Sequence, residues 1–309
     1  MIRTLLGVLV AALLATHAAP AQAQFGGIGR RLGIDNVLGR GQPITTSLRD
    51  ARFADPSRDG FTPRGAARPL TSLPRTATGG FTLAAGYYEM HAQSYCLHAG
   101  TYGPGGGDGY LYAPLAGPAE DAIRTILRNS VDRPNIRQQS IQTLIWAILA
   151  RAKFEDLSAE HRAVAAQLLT PRQIAGLNRS ALDMAGPALN RLLGGLPGPL
   201  RRIAEAEAQL RSMVTGGASY AEMERVAVLG GAAPMGEGSQ AVPSGRWSRH
   251  PGGYWVRYLP QGYSHTLVQI YVEPGSAGVG AEYDPSVQVA VPGNTSRQRL
   301  AQSGRVYGR

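Results

Sequence analysis

An α+β fold is expected from three features of this 309-residue chain. Residues 80–98 and 245–292 carry the β-branched and aromatic residues, and the apolar–polar alternation, of strands. Between them, residues 119–229 show apolar residues at helical spacing, several times preceded by Ser, Thr or Pro where helices start. The order is strands, then a helical block, then strands, which separates the two kinds of structure instead of alternating them. The two β parts are expected to share a sheet, with the helices inserted between them.

The elements follow in chain order. Arg3, an apolar run from Leu5 to Ala15 and the triplet Ala21–Ala23 have the order of a secretory signal peptide over residues 1–23. Export to the periplasm, the cell surface or the medium is therefore expected, and the run is too short to span a bilayer. Residues 24–79 are rich in Gly, Arg, Pro, Ser and Thr and predict a loosely structured arm, docked singly through Phe53, Phe61, Leu70 and Leu73. "GFTLAAGYYEMHAQSYCL" predicts two strands around Ala85–Gly86. Alternation puts Met90, Ala92, Ser94 and Cys96 on one face and Tyr95 and Leu97 on the other. "QQSIQTLIWAILAR" is the clearest helix, its stripe formed by Ile141, Leu144, Ile145, Ile148 and Leu149. Later helices are capped by Ser158, Thr170 and Ser180, and two more are expected at "PGPLRRIAEAEAQLRSMV" and "SYAEMERVAVLGG". "YWVRYL" and "HTLVQIYV" predict a hairpin, with Thr266, Val268, Ile270 and Val272 turned into a core, and "SVQVAV" a final strand. The α+β domain thus runs over 80–292, and residues 293–309 are expected to be a polar, frayed tail.

The net charge of +10 is nearly all arginine, Lys153 being the lone lysine. The basic residues are scattered without interleaved aromatics, so no nucleic-acid partner is expected. No segment beyond the signal peptide is long and apolar enough for a transmembrane span. Of the six histidines no pair has helical ligand spacing; His250 and His265 flank the hairpin, and no metal site is expected. "GPGGGDG" at 103–109 lacks the Lys-Ser or Lys-Thr of a phosphate loop, so no cofactor is expected there.

The single cysteine, Cys96, rules out an intramolecular disulfide. It is an inert buried residue, an intermolecular partner or a reactive group. A Cys–His hydrolase would pair it with His98, two residues on, although such enzymes usually begin a helix at the cysteine and this one runs into Gly and Pro. A thiol held against a glutamine carboxamide in a dry site can instead displace ammonia and leave an internal thioester. Gln142 is the candidate acyl donor on the clearest helix, with Gln138 in reserve.

"SYCLHAG" followed by "IQTLIW" resembles the bacterial surface thioester domains of adhesins. There the cysteine lies in an aromatic-Cys-hydrophobic-Asp/Asn motif, and a glutamine in Thr-Gln-x-Ala-hydrophobic-Trp. Tyr95, Cys96 and Leu97 match the first motif, with His98 where Asp or Asn is usual. Gln142, Ile145 and Trp146 match the second, with Ile141 for Thr and Leu144 for Ala. The likeness covers about residues 86–152, and the 46-residue separation of Cys96 and Gln142 is shorter than is usual in that family. It implies single-turnover covalent capture of an amine-bearing protein or surface ligand, with Cys96 as the leaving thiol and Gln142 as the donor, supported by Tyr95, His98 and Trp146. The alternatives are a non-catalytic envelope or surface interaction protein with a structural cysteine, and behind it the hydrolase.

Overall fold

The computed structural model describes residues 42–51, 54–183 and 198–308. The expected signal peptide, residues 24–41 of the arm, Phe53 and most of the helix expected from Ser180 onward lie outside them.

The N-terminal β part comprises β1 (Arg68–Pro69), β2 (Phe81–Thr82), β3 (Gly86–Cys96), β4 (Thr101–Tyr102) and β5 (Tyr110–Pro114). The helical block follows as α1 (Glu120–Val131), α2 (Gln138–Leu149), α3 (Ala159–Leu168), α4 (Pro171–Asp183), α5 (Gly198–Gly216) and α6 (Tyr220–Ala227). The chain then returns to strands, with β6 (Val228–Leu229), β7 (Ser248–Arg249), β8 (Trp255–Pro260), β9 (His265–Val272), β10 (Glu282–Tyr283), β11 (Gln288–Pro292) and β12 (Leu300–Val306). The class is α+β. As expected, Ser158 caps α3, its side chain accepting from the His161 N–H. Ser180 starts no helix of its own, because α4 runs through it to Asp183.

The two β parts close on each other. β3 pairs with β9 and β12, β12 with β11, β11 with β5, β5 with β8, and β8 with β9, which makes a six-stranded barrel. Alternation sorts the side chains. Tyr88, Met90 and Ala92 from β3, Tyr110 and Tyr112 from β5, Val256 and Tyr258 from β8, and Val268, Ile270 and Val272 from β9 form the interior cluster. Tyr95, Leu111, Ala113, Val289, Val291 and Ala301 instead join the helices in a second cluster. Cys96, the last residue of β3, also belongs to that helix-side cluster and not with Met90 and Ala92, because the strand ends there.

Helix α2 is the centre of the helical layer. Every residue from Ser140 to Leu149 is buried, so the helix is enclosed on all sides and not only along its apolar stripe. Its polar residues therefore need partners inside the protein.

Two expectations are corrected. Residues 42–79 are not loosely held: Ile44, Leu48 and Leu70 are buried, and β1 pairs in parallel with β3. Backbone bonds from Thr45 to Ala116, from Ala119 to Pro43 and from Asp55 to Trp247 tie the segment down without any periodic apolar face. Nor is the C-terminal segment frayed, since β12 is an interior strand of the barrel. Its polar Gln302, Ser303 and Arg305 are buried, and Arg305 donates to the carbonyls of Pro134 and Ile136 ahead of α2. Residues 42–309 fall into one compact unit.

Removing residues 293–309 should unzip both neighbours of β12 and abolish the cooperative urea transition. Ile270→Ala in the full chain should keep a single transition and lower stability by about 2–5 kcal/mol. A truncated protein that melts like the full chain would show that the barrel does not need its last strand.

Candidate functional site

Cys96 is fully buried at the end of β3. On one side β12 continues the ladder, with Cys96 opposite Leu300 and the Leu97 N–H donating to the Arg299 carbonyl. On the other side the pairing of β3 with β9 ends at Gln93 and His265. Two glutamines of α2 replace the missing strand. Gln142 Oε1 accepts from the Cys96 N–H at 2.8 Å, and its Nε2 donates to the Cys96 carbonyl at 3.2 Å. Gln138 Nε2 donates to the carbonyls of Ser94 and Ser264. A buried glutamine here does the work of a strand residue, satisfying both backbone groups of the cysteine at once.

The sulfur itself meets a different glutamine. Cys96 Sγ donates to Gln298 Oε1 at 2.6 Å, a separation shorter than a usual N–H···O bond although sulfur is the larger atom. Gln298 is fully buried, and its Nε2 donates to the Thr101 carbonyl at 3.0 Å and the Ala227 carbonyl at 2.9 Å. Those two carbonyls stand together because β4 pairs in parallel with β6, Thr101 opposite Val228. With both amide hydrogens engaged by carbonyls, the oxygen end of the carboxamide has to face the thiol. The loop between Cys96 and β4 is packed closely. Gly100 has φ +73°, and a Cβ there would lie 2.7 Å from the Ala206 Cβ of α5. The glycine-rich segment after β4 is held as well, since Arg297, next to Gln298, pairs with Asp108 and donates to the Gly103 carbonyl.

Burial pushes the Cys96 thiol up to about 11, against the opposing influence of the His98 backbone N–H, the Trp146 indole and Gln298. The thiol is therefore protonated at neutral pH. The Trp146 Nε1 is buried and close enough to favour a negative charge on the sulfur, yet it makes no hydrogen bond of regular geometry. Its ring stacks on Tyr220 of α6 at 5.2 Å and lies 6.5 Å from Tyr263 of the β8–β9 turn. Both tyrosines pack, partly buried, against the helix-side cluster that contains Cys96 and Trp146.

Of the residues singled out in the sequence, Cys96, Gln142, Gln138 and Trp146 come together, but the expected contact of the sulfur with Gln142 is replaced. Gln142 is engaged by the cysteine's backbone, and Gln298 occupies the position at the sulfur. Tyr95 supports from beside it, its hydroxyl donating to Gln93 Oε1 and held up at about 12 by burial. His98 reaches the sulfur through its backbone. Its imidazole is kept neutral by burial and then by Arg299, and Nδ1 has no partner. A protonated thiol without a histidine base at the sulfur is no hydrolase dyad. His265 pairs with His91, Nδ1···Nε2 2.8 Å apart, and not with His250, which stacks on Tyr254. Among the described residues no three His, Cys, Asp or Glu side chains gather as metal ligands, and no helix is long and apolar enough to cross a membrane. Comparison of the chain with protein-family models, with curated proteins and with solved structures found no match.

Gln142→Ala would leave the N–H and C=O of Cys96 buried and unpaired. The expected loss is roughly 2–5 kcal/mol in denaturant melts. A loss under about 1 kcal/mol would mean that water or a shifted neighbour takes over both bonds.

Proposed function

We propose that this chain is a covalent-capture protein in which Cys96 and Gln298 form an internal thioester that an amine on a neighbouring surface opens. The observation that carries the reading is the 2.6 Å contact of Sγ with Gln298 Oε1 inside a fully buried site. Oε1 is bonded to Cδ, so the carbon to be attacked lies one bond beyond the contacted oxygen. Formation joins Sγ to Cδ and breaks Cδ–Nε2, and the thiol hydrogen leaves with the nitrogen as ammonia. Fixing the thiol and the carboxamide in place supplies the effective concentration that makes an amide react, and burial protects the product from water. The Trp146 N–H, lacking a regular partner, is available to the negative charge that develops during attack. In capture the target's nitrogen bonds to Cδ, the Cδ–Sγ bond breaks, and the thiol is restored. The target is left on Gln298 as an amide. The resemblance to surface thioester domains supports the same chemistry, with the donor moved from Gln142 to Gln298.

The second reading is a non-catalytic surface or envelope interaction protein with a structural cysteine. It is favoured by a thiol that is already buried, protonated and hydrogen-bonded.

Intact mass of the purified chain separates the two. A thioester lowers the mass by about 17 Da, a deficit that methylamine should convert to an adduct while freeing one thiol. Cys96→Ala and Gln298→Ala should each abolish deficit and adduct. A full-mass wild-type chain whose thiol alkylates on unfolding would leave the structural cysteine as the reading.

A further inference from the structure

The aromatic residues packed on Trp146 carry a hydrogen-bonded chain that formation of the thioester does not use. The hydroxyls of Tyr220 and Tyr263 are 2.7 Å apart, and the Tyr263 hydroxyl donates to Glu224 Oε1. A phenol has one hydrogen to give. Because Tyr263 gives its own to Glu224, it accepts from Tyr220. Tyr220 thereby commits its hydrogen outward, and its oxygen keeps only acceptor capacity. The chain has a direction, from Tyr220 toward the carboxylate.

Its inner end is at the site. Tyr220 stacks on Trp146 at 5.2 Å and packs against the helix-side cluster that contains both Trp146 and Cys96. Tyr263 is anchored two residues from the cysteine in sequence, its carbonyl accepting from Ser94 Oγ at 2.9 Å. Its outer end, Glu224, is half-buried on α6. Burial first of all holds both phenols in the protonated form, which lets each one accept a hydrogen and pass one on. An amine attacking a thioester must lose a proton as its bond to carbon forms, and a base at the inner end of such a chain meets that need.

We infer that Tyr220, Tyr263 and Glu224 form a proton relay that deprotonates the incoming amine; this rests on the Cys96–Gln298 thioester proposed above. As nitrogen bonds to Cδ of Gln298 and Cδ–Sγ breaks, the amine hydrogen passes to the Tyr220 oxygen. The Tyr220 hydrogen moves to Tyr263, and that of Tyr263 to the Glu224 carboxylate. The released thiolate, disfavoured by its burial, recovers a proton back along the same chain, leaving Glu224 ionised. Tyr220 is the catalytic residue, while Tyr263 and Glu224 act through it.

The test uses the full chain, Glu224→Gln and Tyr263→Phe, each first weighed for the mass deficit. Opening is then followed by mass with methylamine, which must lose a proton, and with the thiolate of 2-mercaptoethanol, which carries none to lose. The relay predicts that both variants keep the deficit and open on the order of 100-fold more slowly with methylamine, while thiolate opening stays within about twofold of wild type. The double variant should be no slower than the slower single one. Wild-type rates with methylamine, or equal slowing with both probes, would overturn the relay and leave the thioester standing. A wild-type chain with no deficit before any nucleophile is added would overturn the thioester and the relay with it.

Discussion

The register of β12 against β3 is the constraint on which the remaining structure hangs. In this register Ala301 lies opposite Tyr95 on the helix side, while Leu300, opposite Cys96 where β3 ends, packs in the barrel interior, so both clusters draw on β12. It also sets where Gln298 falls, because the residues just before the strand continue alongside Leu97 and reach the sulfur. A slip of one residue would reverse the faces of the strand and carry the carboxamide away from the thiol. Closure of the barrel and assembly of the site are one event.

Around that register three glutamines serve in two ways. Gln138 and Gln142 stand in for a strand that stops short, fastening α2 to the exposed edge of β3. Gln298 spans two carbonyls brought together by a short parallel pairing and presents its oxygen to the cysteine. Both ends of the buried Gln142 and Gln298 amides are hydrogen-bonded, which is the condition for keeping such groups in a dry interior. The indole N–H of Trp146, like His98 Nδ1 and Gln302 Oε1, has no such partner, and it is the one of the three that influences the sulfur.

The strands of the hairpin and of β3, the enclosed helix α2 and the caps at Ser158 and Thr170 were legible because each writes a local period or a local cap into the sequence. So was the meeting of Cys96 with the α2 glutamines, through two short motifs. Gln298 was not. It sits in "TSRQRL", where polar residues show no alternation, and its partners are supplied from 202 residues away by the sulfur and from β4 and α6 by two carbonyls. The segment from Gln42 to Gly79 was hidden for a related reason. Single apolar anchors such as Ile44 and Leu48 carry no period, and backbone bonds to distant loops leave no trace in side-chain composition.

The placement of Gln298 has a mechanical side. In the proposed chemistry the captured molecule ends up bonded to the residue that leads into β12. Tension applied through it runs along a strand held on both edges, by β3 and by β11. The rungs of such a strand lie across the direction of pull and share the load in shear, whereas a strand at the rim of an open sheet can be peeled away one rung at a time. The anchor point is thus built into the wall of a closed cylinder, and a tethered partner can be dragged on without the grip starting from a loose end.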